Sequence, residues 1–446
     1  MRRVFIALSV LLVSVACEKL DVFNKSGLFQ DEYDSQGEVP EVQNPIAICS
    51  PSPDASITKV SLTPEQLTYA AGSNAFALKC LNELFREDAS SMVFSPLSLQ
   101  YALAMTANGA SGETAAEIIR VVLGFDTDIA AINAYCNLLL NQLPALDSEV
   151  EIRLADALVV DDSYKLLPSY KETVESIYYA PVEYMSFSDK KLVVDRINEW
   201  AYRNTNGLIF PFLQESELSG FAAILNALYF KAPWGMASLR TMFLPEETLK
   251  GEVFHKDGGG KGKVDLMSTT AHFGYAQRDG YRIVEIPYSK GKFAMYVLLP
   301  DQVGGNGLQK LMTNLPKESW QELTASLTYQ TKVHLRLPKF ESANKFSLKQ
   351  SLQAMGIKKA FADAEFDRMF DGGKGTFISE VLQKSKIKVT EWGTEAAAVT
   401  AVVLAGANLG QTPPPEVDFY IDHPFVYVIA ERSSGTILFE GVFTGE

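Results

Sequence analysis

The chain has 446 residues, 47% hydrophobic and 21% charged, and its 54 acidic against 40 basic side chains leave a formal net charge of −14. That composition supplies a large folded core and excludes a wholly disordered chain. It also argues against a nucleic-acid partner, since no basic excess exists to displace counterions from a phosphate backbone.

Arg2 and Arg3 precede an almost wholly apolar run from position 4 to position 15, closed by Ala16. A short basic start, a short apolar run and a small residue make an export signal over residues 1–16. The run is too short for a bilayer, which takes about 20 residues. Its other reading is a buried amino-terminal strand. Ser14, Val15, Ala16 and Cys17 resemble a bacterial lipoprotein cleavage site, although Ser14 stands where leucine is usual. That resemblance implies cleavage before Cys17 and lipidation of Cys17, which would anchor the protein to a membrane without a spanning helix. Glu18, rather than Asp, follows the cysteine, so the outer membrane is expected, on either its periplasmic or its external side.

Residues 17–61 are acidic and rich in Pro, Ser, Asn and Gln without a sustained apolar period, which predicts a disordered tether that includes Cys49. Residues 62–446 form the folded domain. Cys80 and Cys136 fall in helical apolar runs and read as small core residues. No CxxC, Cys/His cluster or HExxH occurs, so no metal is expected.

Thr63 caps a helix with Pro64 in its first turn and Gln66 at the third position. Leu67, Ala71, Ala75, Leu78, Leu81 and Phe85 continue its apolar stripe. Ser95 and Pro96 begin a second helix. Residues 151–160 alternate as a strand, and residues 168–179 read as helix. Residues 222–234 are too apolar for an edge strand. Asn226 interrupts them, and a buried asparagine needs partners. Short alternating strands follow at 283–288, 292–300 and 333–340. A helix over 346–355 is stopped by Gly356. Ser433, Ser434 and Gly435 read as a hairpin turn.

Residues 391–411 admit two readings. Their alanine content favours helix. Their alternation favours a strand with Thr394, Ala396, Ala398, Thr400, Val402 and Leu404 on one face and Glu395, Ala397, Val399, Ala401 and Val403 on the other. Gly and Pro beyond Ala405 make an exposed loop.

Several stretches together resemble one family. Gly393, Thr394, Glu395, Ala396, Ala397, Ala398, Val399 and Thr400 resemble the hinge of serpins, protease inhibitors that act by loop insertion. Residues 93–105 with 108–114 resemble the serpin amino-terminal signature, residues 197–209 a further landmark, residues 377–384 the strand that leads into the hinge, and residues 414–419, 423–429 and 435–441 the carboxy-terminal signature. The resemblance covers nearly the whole chain after about residue 62. It implies an α+β serpin fold, three β-sheets with surrounding helices, and an exposed reactive-centre loop at about 391–415. Ser95, Ser98 and Asn226 match the "shutter" beneath the opening sheet, and Trp234 the "breach" at its top. Gln383 stands where the family usually has histidine. It cannot titrate near neutral pH, so pH-dependent shutter opening is not expected.

The resemblance further implies that a serine or cysteine protease attacks the loop and forms an acyl-enzyme. The hinge, preceded by Glu391 and Trp392, then inserts as a new central strand. Small inward residues at Thr394, Ala396 and Ala398 suit entry into a packed sheet and favour an inhibitor. Counting from Gly393 places the reactive bond at Ala407–Asn408, and counting back from Pro415 places it near Gln411. Ala407 suits an elastase-type pocket, whereas Leu404 or Leu409 suits a larger apolar pocket. No Lys or Arg lies between Glu391 and Glu416, which argues against a trypsin-like target.

An enzyme is not expected. The histidines are His255, His272, His334 and His423, and no serine sits in a Gly-x-Ser-x-Gly elbow. No catalytic residue or cofactor is assigned, and a monomer is expected. A non-inhibitory serpin-fold binding protein and a protease decoy are the competing readings.

Overall fold

The computed structural model describes residues 42–445, apart from 52, 53, 55, 238, 239, 372, 373 and 395–414. The export signal, Cys17 and residues 18–41 therefore lie outside the described residues, as do Glu395 to Thr400 of the hinge, Leu404, Ala407, Asn408, Leu409 and Gln411.

The fold is α+β, with three sheets and helices packed about them. The central sheet runs, in spatial order, Phe340–Ser347, Leu382–Thr390, Gly393–Thr394, Ala222–Pro233, Glu151–Asp161 and Val182–Met185. A second six-stranded sheet includes Phe293–Pro300, Phe425–Glu431 and Ile437–Phe443, in which every residue is buried. Such largely apolar runs, broken only by Glu431 and Glu440, are what a sheet covered on both faces requires. A third, four-stranded sheet orders Glu416–Tyr420, Lys332–Pro338, Lys261–His272 and Leu249–His255. The segment 395–414 thus joins the top of the central sheet to a strand of the third.

Strand alternation divides the central sheet into two faces. Leu154, Leu158 and Val160 with Leu228, Phe230 and Ala232 enter the main core. Ala155, Ala157 and Val159 with Leu225 and Ala227 face the other way, onto a separate cluster. Helix Lys190–Asn204 seals that outer face with Val193, Ile197, Trp200 and Ala201. The small alanines let it lie close.

Helix Pro64–Glu87 begins at the expected Thr63–Gln66 capping box. Helix Pro96–Gly109 is capped by Ser95. Cys80 and Cys136 are buried in helices Pro64–Glu87 and Ile129–Gln142. Ser433, Ser434 and Gly435 make the expected hairpin turn between antiparallel strands, with Gly435 at φ 74°. Three expectations need correction. Phe346 lies within strand Phe340–Ser347, and the helix stopped by Gly356 starts only at Lys349. Pairing of Phe346 with Gln383 overrides local helix propensity there. The strand expected over 377–384 instead runs Leu382–Thr390. Finally, the described part of the expected tether, from residue 42, packs on the domain: Ile46 and Val60 are 0% and 5% exposed.

Glu440 is fully buried in strand Ile437–Phe443, and neither carboxylate oxygen has a hydrogen-bond partner among the described residues. Burial pushes its pKa well above the ordinary range. The native state therefore holds a proton that the unfolded chain releases, and stability falls as pH rises past the usual glutamate range. Glu440→Met, which keeps the length of the side chain, should raise stability at pH 8 by about 1–3 kcal/mol and do much less at pH 4. Denaturant melts at the two pH values check this.

Candidate functional site: a hinge at the head of an unpaired seam

Strands Leu382–Thr390 and Ala222–Pro233 are neighbours in the central sheet only through two residues. Gly393 pairs with Thr390 on one side and Pro233 on the other, and Thr394 pairs with Val389 and Ala232. Below Thr394 no ladder joins the two long strands among the described residues. A cavity of about 160 Å³ marks the lower end of this seam. Its lining includes Asn226 and Gln383 from the two strands, Ala222 at the strand end, and Ser98, Leu103 and Thr106 from helix Pro96–Gly109.

The upper end is clamped by aromatic stacking and backbone contacts. Trp234 is 5% exposed and stacks on Tyr288, with ring centroids 4.6 Å apart and planes 7° from parallel. Its indole Nε1 donates to the Thr390 carbonyl at 2.8 Å, and its backbone N–H donates to the Trp392 carbonyl at 3.1 Å. One side chain thus bridges both margins of the seam and holds the chain entering the hinge. Trp392 itself is half-buried. Thr394 is buried on the inner face, its hydroxyl bonded to that of Tyr288. Glu391 is buried too, accepting from the Thr248 hydroxyl at 3.0 Å and pairing with Lys339 at 3.0 Å. Burial works against its charge. A backbone N–H, Lys339 and Thr248 outweigh that effect and hold its pKa below the ordinary glutamate range.

Gly393 is where backbone chemistry decides. Its φ is 145°, and a Cβ there would stand 2.1 Å from the Ala232 carbonyl oxygen. Only glycine turns the chain back between the two strands at that point.

The lower end is held from beneath by the first turn of helix Pro96–Gly109. The Ser95 N–H donates to Gln383 Oε1 at 3.0 Å, and Gln383 Nε2 donates to the Ser95 carbonyl at 2.9 Å. The Ser95 hydroxyl donates to the Leu438 carbonyl at 2.9 Å and accepts from the Ser98 N–H as the helix cap. Ser98 Oγ donates to Asn226 Oδ1, and Asn226 Nδ2 donates to Asp156. Ser95 therefore holds one margin and Ser98 the other. Gln383 and Asn226 meet through the helix rather than through a direct bond.

All of the expected shutter residues, Ser95, Ser98, Asn226 and Gln383, converge here. Trp234, Glu391, Gly393 and Thr394 converge at the upper end, roughly 26 Å away along the strand from Asn226 to Trp234. Sequence reasoning missed Asp156, Tyr288, Thr248 and Lys339. Asp156 had one signal, an acidic residue at an inward position of an alternating strand. The other three had none, because their role depends on elements distant in sequence.

Asp156 supplies a titratable group that Gln383 cannot. It is 3% exposed, and its Oδ2 has no partner among the described residues. Burial pushes its pKa up to about 7 against the opposing hydrogen bond from Asn226.

The family model described as Serpin (serine protease inhibitor) matches residues 71–445. A serpin-like protein of Thermococcus kodakarensis is 33% identical over 369 residues, spanning 82% of this chain and 83% of that protein. Human Serpin B3 is 31% identical over 387 residues, spanning 82% and 96% respectively. Among solved structures, Serpin48 of the insect Tenebrio molitor superposes with a TM-score of 0.73 at 27% identity, over 86% of this chain and 99% of that one.

Two outcomes are expected at this site. Gly393→Ala should expel the first hinge residues from the sheet, raising hydrogen exchange across residues 389–394 while the second sheet stays protected. The native state holds a proton on Asp156 that the unfolded chain loses from about pH 4, so its contribution falls between about pH 4 and 7. Asp156→Asn should therefore raise the melting temperature at pH 8 by several degrees, leave it nearly unchanged at pH 4, and flatten the profile between.

Proposed function

The chain belongs to the serpin family, and on that premise we propose that it inhibits serine endopeptidases, and cysteine endopeptidases of similar acyl chemistry, by offering segment 395–414 as a substrate loop. The family supports protease inhibition in general terms. The observation that carries the specific reading is the pairing of Gly393 and Thr394 between two strands otherwise unpaired with one another.

That pairing fixes a register for insertion. Thr394 stands opposite Ala232 and Val389, and each further residue steps back by one on both strands. Continued downward, Thr400 falls between Asn226 and Gln383, and Leu404 falls opposite Ala222, where that strand begins. The inward face, set by Thr394, takes Ala396, Ala398, Thr400, Val402 and Leu404. Glu395 takes the outward face. Small side chains thus enter first, and the larger Val402 and Leu404 arrive at the end marked by the cavity.

The same register favours Ala407–Asn408 as the cleaved bond. Leu404 reaches the start of strand Ala222–Pro233, past the start of the facing strand at Leu382, so Ala407 lies three residues beyond it and would leave the acyl-enzyme on a short leash. Cleavage after Leu404 would bring the bound protease against the sheet, and cleavage at Leu409 or Gln411 would leave slack for deacylation. The stretch from Thr394 to Ala407 is 14 residues and reaches roughly 45 Å as a strand. A bound protease would be carried most of the way along the domain and distorted before water completes hydrolysis. An alanine at the cleaved bond suits an elastase- or subtilisin-like target. Export through residues 1–16 and lipidation at Cys17 would place a monomeric inhibitor at the outer membrane of a bacterial envelope.

A denaturing gel of the protein mixed separately with pancreatic elastase and subtilisin tests this. The expected result is a band near the summed masses and a released carboxy-terminal peptide beginning at Asn408. A cleaved domain without that band, for every protease tried, sinks the inhibitor reading and leaves a decoy. If cleavage also brings no rise in thermal stability, a serpin-fold binding protein is the better description.

A further inference from the structure

Helix Lys190–Asn204 packs on the outer face of the central sheet, beside the seam. Val193, Ile197, Trp200 and Ala201 share one buried cluster with Ala155, Ala157 and Val159 of strand Glu151–Asp161 and with Leu225 and Ala227 of strand Ala222–Pro233. Leu382, from the opposite margin, packs against the same cluster. For a strand to enter between those margins, they must part by about 4.8 Å, one strand spacing. A helix packed on the cluster that receives side chains from both margins must then slide or lift.

The chain ahead of the domain is fastened onto this helix. Ile46 is 0% exposed and belongs to the same cluster. The guanidinium of Arg196 donates to the Asn44 carbonyl, and that of Arg203 donates to the Ile46 carbonyl at 3.3 Å. Arg196 also faces Glu183 of the edge strand at 3.9 Å. The downstream end of the segment is fixed to other elements. Lys292 Nζ donates to the Thr58 carbonyl at 2.6 Å, the Val60 N–H to Ser433 Oγ at 3.0 Å, and the Ser61 N–H to Gln142 Oε1 at 3.0 Å. Both ends are therefore tied, with a fully buried isoleucine at the helix.

We propose that segment 44–49 is a strap that holds helix Lys190–Asn204 on the central sheet and so sets the rate of strand insertion; this rests on the insertion mechanism proposed above. Lifting the helix pulls Ile46 out of its apolar seat and breaks both arginine contacts, a cost met in the transition state and recovered once the helix settles again. Loss of the strap therefore speeds insertion without greatly changing the inserted end state.

The test uses the full chain with Ile46→Asp, Ile46→Ala and Ile46→Val as a graded series, and Arg203→Ala as an independent variant. Each is nicked in the loop with thermolysin, a metalloprotease that forms no acyl-enzyme to be trapped, the thermolysin is quenched with a chelator, and the appearance of a heat-stable form is followed with time. The expected result is insertion at least about fivefold faster for Ile46→Ala, a fivefold change being of the order a lost buried contact produces. Ile46→Val should lie near wild type, and the melting temperature of the fully inserted form should be almost unchanged throughout. The Ala and Val variants keep the comparison open if Ile46→Asp does not fold. Equal insertion rates across the series, with or without a drop in native stability, overturn the strap while leaving insertion intact. If the wild type itself yields no heat-stable form, the insertion mechanism fails and the strap fails with it.

Discussion

Two long strands of the central sheet, Leu382–Thr390 and Ala222–Pro233, run beside each other without a ladder except at Gly393 and Thr394. Facing strand edges carry backbone donors and acceptors that favour a partner. Each hydrogen bond of a ladder is worth about 0.5–1.5 kcal/mol net, so a strand filling the seam would add two rows of such bonds. Much of the surrounding structure can be read as the means of holding this seam. Trp234 and Tyr288 close its head, the first turn of helix Pro96–Gly109 holds its foot, and helix Lys190–Asn204 covers its outer face.

The holding contacts differ in kind at the two ends. At the head they are shape-dependent: a stacked aromatic pair, an indole N–H on a strand-end carbonyl and a glycine that tolerates φ 145°. At the foot they are polar and buried, so each donor must find an acceptor. The serines three residues apart on one helical turn meet that requirement for both margins at once. This is a use of an N-cap beyond ending a helix: Ser95 caps its own helix while its backbone groups hold Gln383.

Two carboxyls sit where folding stability alone would not place them. Glu440 lies fully buried without a partner among the described residues, and Asp156 is satisfied at one oxygen only. Both weaken the native state most at neutral and alkaline pH, where their charged forms are costly to bury. Asp156 connects through Asn226 to Ser98, so its environment is continuous with the foot of the seam.

Much of this was legible in the chain itself. Ser95 before Pro96 announces a capped helix, and Asn226 in an apolar run demands buried partners. These are local signals, carried by residue type and period. Other features were not legible, for definite reasons. The helix read over 346–355 lost its first residues to a strand because Phe346 pairs with Gln383, far along the chain. The segment expected to be a tether has no sustained apolar period, yet Ile46 within it is fully buried in the cluster it shares with helix Lys190–Asn204. The sequence by itself determined most of the elements and the polar residues that needed partners. Only the tertiary structure decided which partners those were, that the hinge begins inside the sheet, and that the leading segment lies over the helix. Each of these depends on contacts between residues too far apart in the chain for any local period to encode.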